Sequence, residues 1–105
     1  MAWLYLFSAG ILEIVWAFTM KQSDGFTRPM PTAITIVTMI GSFALLSLAM
    51  RSLPLGTAYT IWTGIGAVGA FVVGVTVLGE ALTPMRIAAA TLIVSGLVMM
   101  KLSAS

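Results

Sequence analysis

The sequence predicts an all-α integral membrane protein of four transmembrane helices. Three observations lead there. Of the 105 residues, 60% are hydrophobic and only 8% are charged, whereas a soluble domain carries about 25% charged residues. Four apolar runs each have about the ~20 residues needed to cross ~30 Å of hydrocarbon. Nearly every charge and every proline falls between those runs or at their ends.

Helix 1 is expected over about Ala2–Met20 and ends at Lys21-Gln22-Ser23-Asp24-Gly25. Helix 2 is expected over about Pro31–Met50, with Pro29 and Pro31 at its start and Arg51 after it. Leu53-Pro54-Leu55-Gly56 leads into helix 3, about Thr57–Leu78, which Gly79-Glu80 closes. Helix 4 is expected over about Pro84–Lys101. Thr83 is placed to cap it, and Pro84 takes the first helical position, where a missing N–H costs nothing. Residues 1–105 thus read as a single membrane domain with short connections. The start Met1-Ala2-Trp3 has no basic residue, so helix 1 reads as a retained span rather than a cleaved signal.

Arg51 and Lys101 fall on one side of the membrane, and Lys21, Arg28 and Arg86 on the other. That near-balance gives no firm orientation under the positive-inside rule. It suits a chain inserting both ways, and equally a chain with too few charges to judge. Four helices make a thin bundle that hardly encloses a polar pathway alone. A homo-oligomer is therefore expected, and antiparallel dimerisation would supply the inverted-repeat symmetry found within larger transporters.

There are no cysteines and no histidines. Thiol and imidazole chemistry are excluded, no metal site or cofactor is expected, and the chain does not read as an enzyme. The scattered charges form no basic patch, which argues against nucleic acid. If the protein handles protons, a carboxylate is the leading carrier.

That carboxylate is Glu13, the only charged residue among the first twenty. An ionised group near the bilayer centre costs at least ~2.5–3.5 kcal/mol, a cost usually met by a cavity, a partner or a substrate. Glu13 is therefore expected to bind a cation, a proton, or each in turn. Leu6, Gly10, Glu13, Ala17 and Met20 share a helical stripe with Trp16 beside it, and small Gly10 and Ala17 leave space about the carboxylate. On helix 2, Thr35 and Thr38 read as hydroxyls that bond their own backbone. Ser42, nearer mid-span, is placed to hydrogen-bond a carboxylate from helix 1.

On helix 3, Tyr59 fits either an interfacial belt or a site, while the deeper Trp62 fits a site. Trp62 heads a stripe of Gly66, Ala70 and Gly74 that lets another helix approach closely. Gly64 and Gly69 would make this helix easy to bend. Ala88, Thr91 and Ser95, with Gly96 adjacent, read as a packing or dimer seam on helix 4. Trp3 and Tyr5 read as belt residues, and Lys21, Asp24, Arg28, Arg51, Glu80, Arg86 and Lys101 as solvated or topological charges. Two Glu13 carboxyls facing one cavity would form a site that protons and a cation occupy by turns, which suffices for antiport if the cavity opens to one side at a time. A planar guanidinium would pair well with a carboxylate, whereas a bulky lipophilic cation would want an open aromatic pocket. The residues alone leave that choice open.

The run Gly10-Ile11-Leu12-Glu13-Ile14-Val15-Trp16-Ala17, then Gly25-Phe26-Thr27-Arg28, then the long stretch from Leu53 to Ala70, and finally Lys101, resemble the small multidrug resistance transporters, in particular their guanidinium-exporter branch. The resemblance covers nearly the whole chain. It implies a dual-topology antiparallel homodimer in the inner cell membrane, exchanging protons for guanidinium-type cations. It also implies Glu13 as the shared site, with Gly10, Trp16, Ser42, Tyr59 and Trp62 around it. Trp16 favours the guanidinium branch; Thr60 departs from relatives, which tend to have alanine. The alternatives are an exporter of quaternary ammonium and polyaromatic cations and, from a different class, a non-transporting subunit of a membrane complex.

Overall fold

The computed structural model describes residues 1–104. Its four helices are α1 (Ala2–Gln22), α2 (Pro29–Ala49), α3 (Leu55–Thr76) and α4 (Pro84–Ala104). All four are long and apolar enough to cross a membrane.

The helix ends sit up to three residues from the expected places, for local reasons. α1 continues through Lys21 and Gln22 because Ser23 closes it, its N–H reaching Thr19 O at 2.9 Å and its buried hydroxyl donating to Met20 O at 2.6 Å. Asp24, Gly25 and Phe26 then take φ of 51°, 71° and 67° and reverse the chain; only glycine adopts that conformation without steric cost. α2 begins at Pro29 because extended Arg28 (φ −96°, ψ 120°) is the conformation a following proline imposes. Pro31 fits inside the first turn, where N–H groups have no helical partner anyway. Pro54, at ψ 151°, starts α3 at Leu55. Thr83 Oγ1 accepts the Arg86 N–H at 3.2 Å, capping α4.

α1 packs against both α2 and α3, α2 and α3 meet lightly, and α4 packs mainly on α3. The last turns of α4 reach α1 where Lys101 Nζ lies 4.7 Å from the centre of the Trp3 ring. The molecule is a slab of 41 × 35 × 16 Å, little thicker than the ~10–12 Å of one helix with its side chains. So thin a body presents any central polar group on a face rather than in an enclosed channel. The buried core, Leu6, Ala9, Leu46, Ala49, Ala58, Ile61 and Trp62, lies at the end of the slab nearest the α2–α3 connection.

The glycines of the core helices are seats for particular side chains. A Cβ at Gly10 would crowd Ile65, and one at Gly64 would overlap Leu97 from α4. At Gly69 it would overlap Ile14, and at Gly66 the Glu13 carboxyl. Gly64 and Gly69, expected to soften α3, instead admit side chains from its two neighbours. Thr38 bonds Ile34 O at 2.7 Å, the local satisfaction expected of it; Thr35 bonds Pro31 O at 2.8 Å but, fully buried, also pairs with Thr19 Oγ1 of α1 at 2.7 Å, a tie between helices that was not expected.

Candidate functional site

Glu13 sits midway along α1, half-buried, its carboxyl pressed against the bare backbone of Gly66 on α3. Its Oε1 is shut off from solvent and has no hydrogen-bond partner among the described residues; the same holds for Trp16 Nε1, one turn along. A buried polar atom left unpaired costs about 1–3 kcal/mol. Two such atoms, one acceptor and one donor, lie on neighbouring positions of one helix face. An N–H or O–H donor admitted to this face would satisfy the first.

Three helices are fastened together just above this point. Ser42 Oγ of α2 donates to Ala9 O of α1 at 2.7 Å, and Trp62 Nε1 of α3 donates to Ser42 Oγ at 3.0 Å. Ala9 is the residue whose carbonyl the helix ladder assigns to the Glu13 N–H. Ser42 thus braces the backbone turn that carries Glu13 and Gly10. It was expected to hydrogen-bond the carboxylate itself; instead its only proton is committed to Ala9 O, so it acts on Glu13 through the backbone. Substituting Ser42 by alanine would orphan the buried Trp62 N–H, and thermal unfolding in detergent should show a loss of about 1–2 kcal/mol.

Four rings run across the helices from this brace. Trp16 meets Phe43 edge-on at 6.3 Å, Phe43 meets Trp62 at 5.7 Å, and Trp62 meets Tyr59 at 5.6 Å. Trp62 is only 7% exposed, whereas Phe43 and Tyr59 are about half exposed, at 47% and 52%. The buried indole anchors the series and the two exposed rings offer aromatic faces, each able to hold a cation with about 0.5–2 kcal/mol. Tyr59 also borders a groove of about 510 Å³ between α3 and α4, with Thr60, Thr63, Leu92 and Gly96.

The structure therefore brings Glu13, Gly10, Trp16, Ser42, Tyr59 and Trp62 into one region and adds Phe43, which the sequence did not single out. The hydroxyls of helix 2 draw the eye to Ser42, one position before it, and one phenylalanine in an apolar run carries no periodic signal. Gly66 also has a closer tie to the site than a packing stripe suggests, since it holds the Glu13 carboxyl. Ala70 and Gly74 continue that stripe beside Ala17, along a cavity of about 130 Å³. Among the described residues, no group of three or more His, Cys, Asp or Glu side chains is placed to hold a metal ion.

Residues 1–93 match the family described as "Small Multidrug Resistance protein". The chain is 54% identical over 103 residues to proteins named "Guanidinium exporter" from Escherichia coli strain K12, Shigella flexneri and Salmonella typhimurium, covering 98% of this chain and 98% of each relative.

Proposed function

The chain belongs to the small multidrug resistance family, and from that premise we propose that it exports guanidinium and small substituted guanidinium cations across the inner cell membrane in exchange for protons. The observation that carries the proposal is the half-buried Glu13 with an unpartnered oxygen, set beside an aromatic series in a lipid-spanning helix. A guanidinium offers that oxygen charge-assisted N–H donors in a planar fork, and the rings offer its face a π surface. A proton satisfies the same oxygen, so the two occupants exclude each other. The 54% identity to exporters of guanidinium supports the substrate class.

The functional unit in this reading is an antiparallel homodimer. A slab 16 Å thick leaves its acid near a face, and a second copy laid against that face would make a cavity lined by two Glu13 residues. α4 exposes Ala88, Thr91, Ser95 and Gly96 together along one side, the small-residue surface by which helices associate closely in lipid. Crosslinking of a cysteine placed at Ser95 should trap a covalent dimer in membranes. Crosslinks between copies tagged at opposite ends, found only in parallel pairs, would overturn the antiparallel arrangement.

A second reading within the family, export of quaternary ammonium or polyaromatic cations, draws on the exposed rings of Phe43 and Tyr59. Quaternary ammonium ions lack the N–H donors that Glu13 Oε1 wants, and polyaromatic cations do not present them as a planar fork, so guanidinium is the better fit. Currents from protein in solid-supported liposome membranes distinguish the two. Guanidinium and methylguanidinium should give large, pH-gradient-dependent currents, and tetraethylammonium or a polyaromatic dye small ones. The reverse order would favour the multidrug reading.

A further inference from the structure

The chain holds a guanidinium group of its own at the α3–α4 connection. Arg86 Nη1 donates to Ala81 O at 2.6 Å, Arg86 Nη2 lies 3.6 Å from Glu80 Oε1, and Arg86 Cζ stands 5.2 Å from the centre of the Phe71 ring. Carboxylate, carbonyl and aromatic face are the three complements that a planar, multi-donor cation uses.

Two of these groups, the Glu80 carboxylate and the Phe71 ring, are held by contacts other than those to Arg86. The Glu80 N–H bonds Gly74 O at 2.9 Å, and its carboxylate lies in the notch left by Gly74, where a Cβ would overlap it. Phe71 belongs to the body of α3. The Arg86 backbone is fixed separately, through its N–H to Thr83 Oγ1. Removing the arginine head group would thus leave the carboxylate and the ring in place, with the Ala81 carbonyl beside them in the same connection. There is room as well, because a cavity of about 130 Å³ lined by Phe71, Arg86, Ala67 and Ala90 opens beside the head group. On the other side of Glu80 lies the cavity bordered by Lys21, Ala17, Ala70 and Gly74, which continues the stripe whose earlier member, Gly66, seats Glu13.

From this geometry we infer that Glu80, the Ala81 carbonyl and Phe71 form a second guanidinium-binding site, which Arg86 fills as a tethered occupant that a free guanidinium ion can replace. The site is of low affinity in the native chain, since a tethered competitor acts at an effective concentration in the millimolar range. It stands two helical turns of the glycine stripe from Glu13, at a membrane end of the chain, where a cation would be met before or after the central carboxylate. The inference takes its probe from the proposed export of guanidinium but does not depend on Glu13 being the transport site.

The test is therefore made without Glu13. In detergent-purified Glu13→Gln/Arg86→Ala protein, guanidinium chloride should raise the thermal unfolding temperature saturably, and tetramethylammonium chloride should not. Adding Glu80→Gln should weaken that binding several-fold, the scale of a partly solvent-screened pair. In Glu13→Gln protein that retains Arg86, the side-chain NMR signals of Arg86 should move toward those of a free arginine as guanidinium is added. This readout needs no change at the arginine and stands if the alanine variant does not fold. Arg86 signals that stay unmoved at saturating guanidinium, or binding to the folded double variant that is indifferent to Glu80→Gln, would overturn the site. Neither result would touch the case for Glu13, which rests on its own unpartnered oxygen and is tested by transport with the parent chain.

Discussion

Replacement of Glu13 by glutamine should reduce uphill guanidinium transport in proteoliposomes to background and abolish the linked proton movement. Glutamine has nearly the same shape, so the seat at Gly66 and the packing around it should persist. What disappears is the charge. A hydrogen bond to a charged group contributes about 1.5–3 kcal/mol, and guanidinium can make two such bonds to a carboxylate. Even the lower figure for a single bond is roughly tenfold in affinity. The amide also has no proton to exchange, so any residual cation movement would be uncoupled. Circular dichroism and gel filtration should match the parent, assigning the loss to chemistry rather than folding. Glu13→Asp retains charge but withdraws it from Gly66, and should keep coupling with weaker binding.

Gly66→Val should come close to the effect of removing the acid while leaving the acid in place. A side chain at Gly66 meets Glu13 Cγ, Cδ and Oε1 together, so the carboxyl must swing away from α3. Displacements of about 1 Å in a positioned group can cost on the order of a hundredfold in function. Guanidinium affinity, read by isothermal titration or transport currents, should fall at least about tenfold. Gly69→Val supplies the contrast. Its new side chain collides with Ile14, so overpacking of about 1–3 kcal/mol should lower the unfolding temperature, while affinity in the folded fraction stays near the parent's. If the two valines weaken binding equally, Gly66 is a general packing position and not the seat of the carboxyl.

The architecture is legible in the sequence because lipid imposes a simple rule: spans must be apolar, long and helical. Four runs satisfy it, and punctuation by proline, glycine and charge divides them. Helix ends shift because the decisive contacts there are small, such as the Ser23 hydroxyl on Met20 O or the tolerance of a first turn for Pro31. Glu13 is legible for the opposite reason, as a charge where the rule forbids one. Trp62 and Ser42 are visible as polar positions deep in spans, but the bond between them and the onward bond from Ser42 to Ala9 O are not. A backbone carbonyl acceptor leaves no trace in residue types. Gly66 and Gly74 illustrate a further limit. Spacing marks them as places of close approach, yet cannot tell a partner helix from the carboxylates of Glu13 and Glu80. Glu80 and Arg86 read from sequence as solvated or topological charges, and only the fold sets the Arg86 head group between Glu80 and the Phe71 ring.

Exclusive occupancy of Glu13 by a proton or a guanidinium ion is the claim on which the exchange mechanism stands. Proton release measured in weakly buffered detergent solution, while guanidinium is titrated into the purified parent protein from weakly acid to neutral pH, tests it most directly. The account predicts protons released in step with guanidinium occupancy, and none from Glu13→Gln. Saturable guanidinium binding with no proton release at any pH in that range would contradict it.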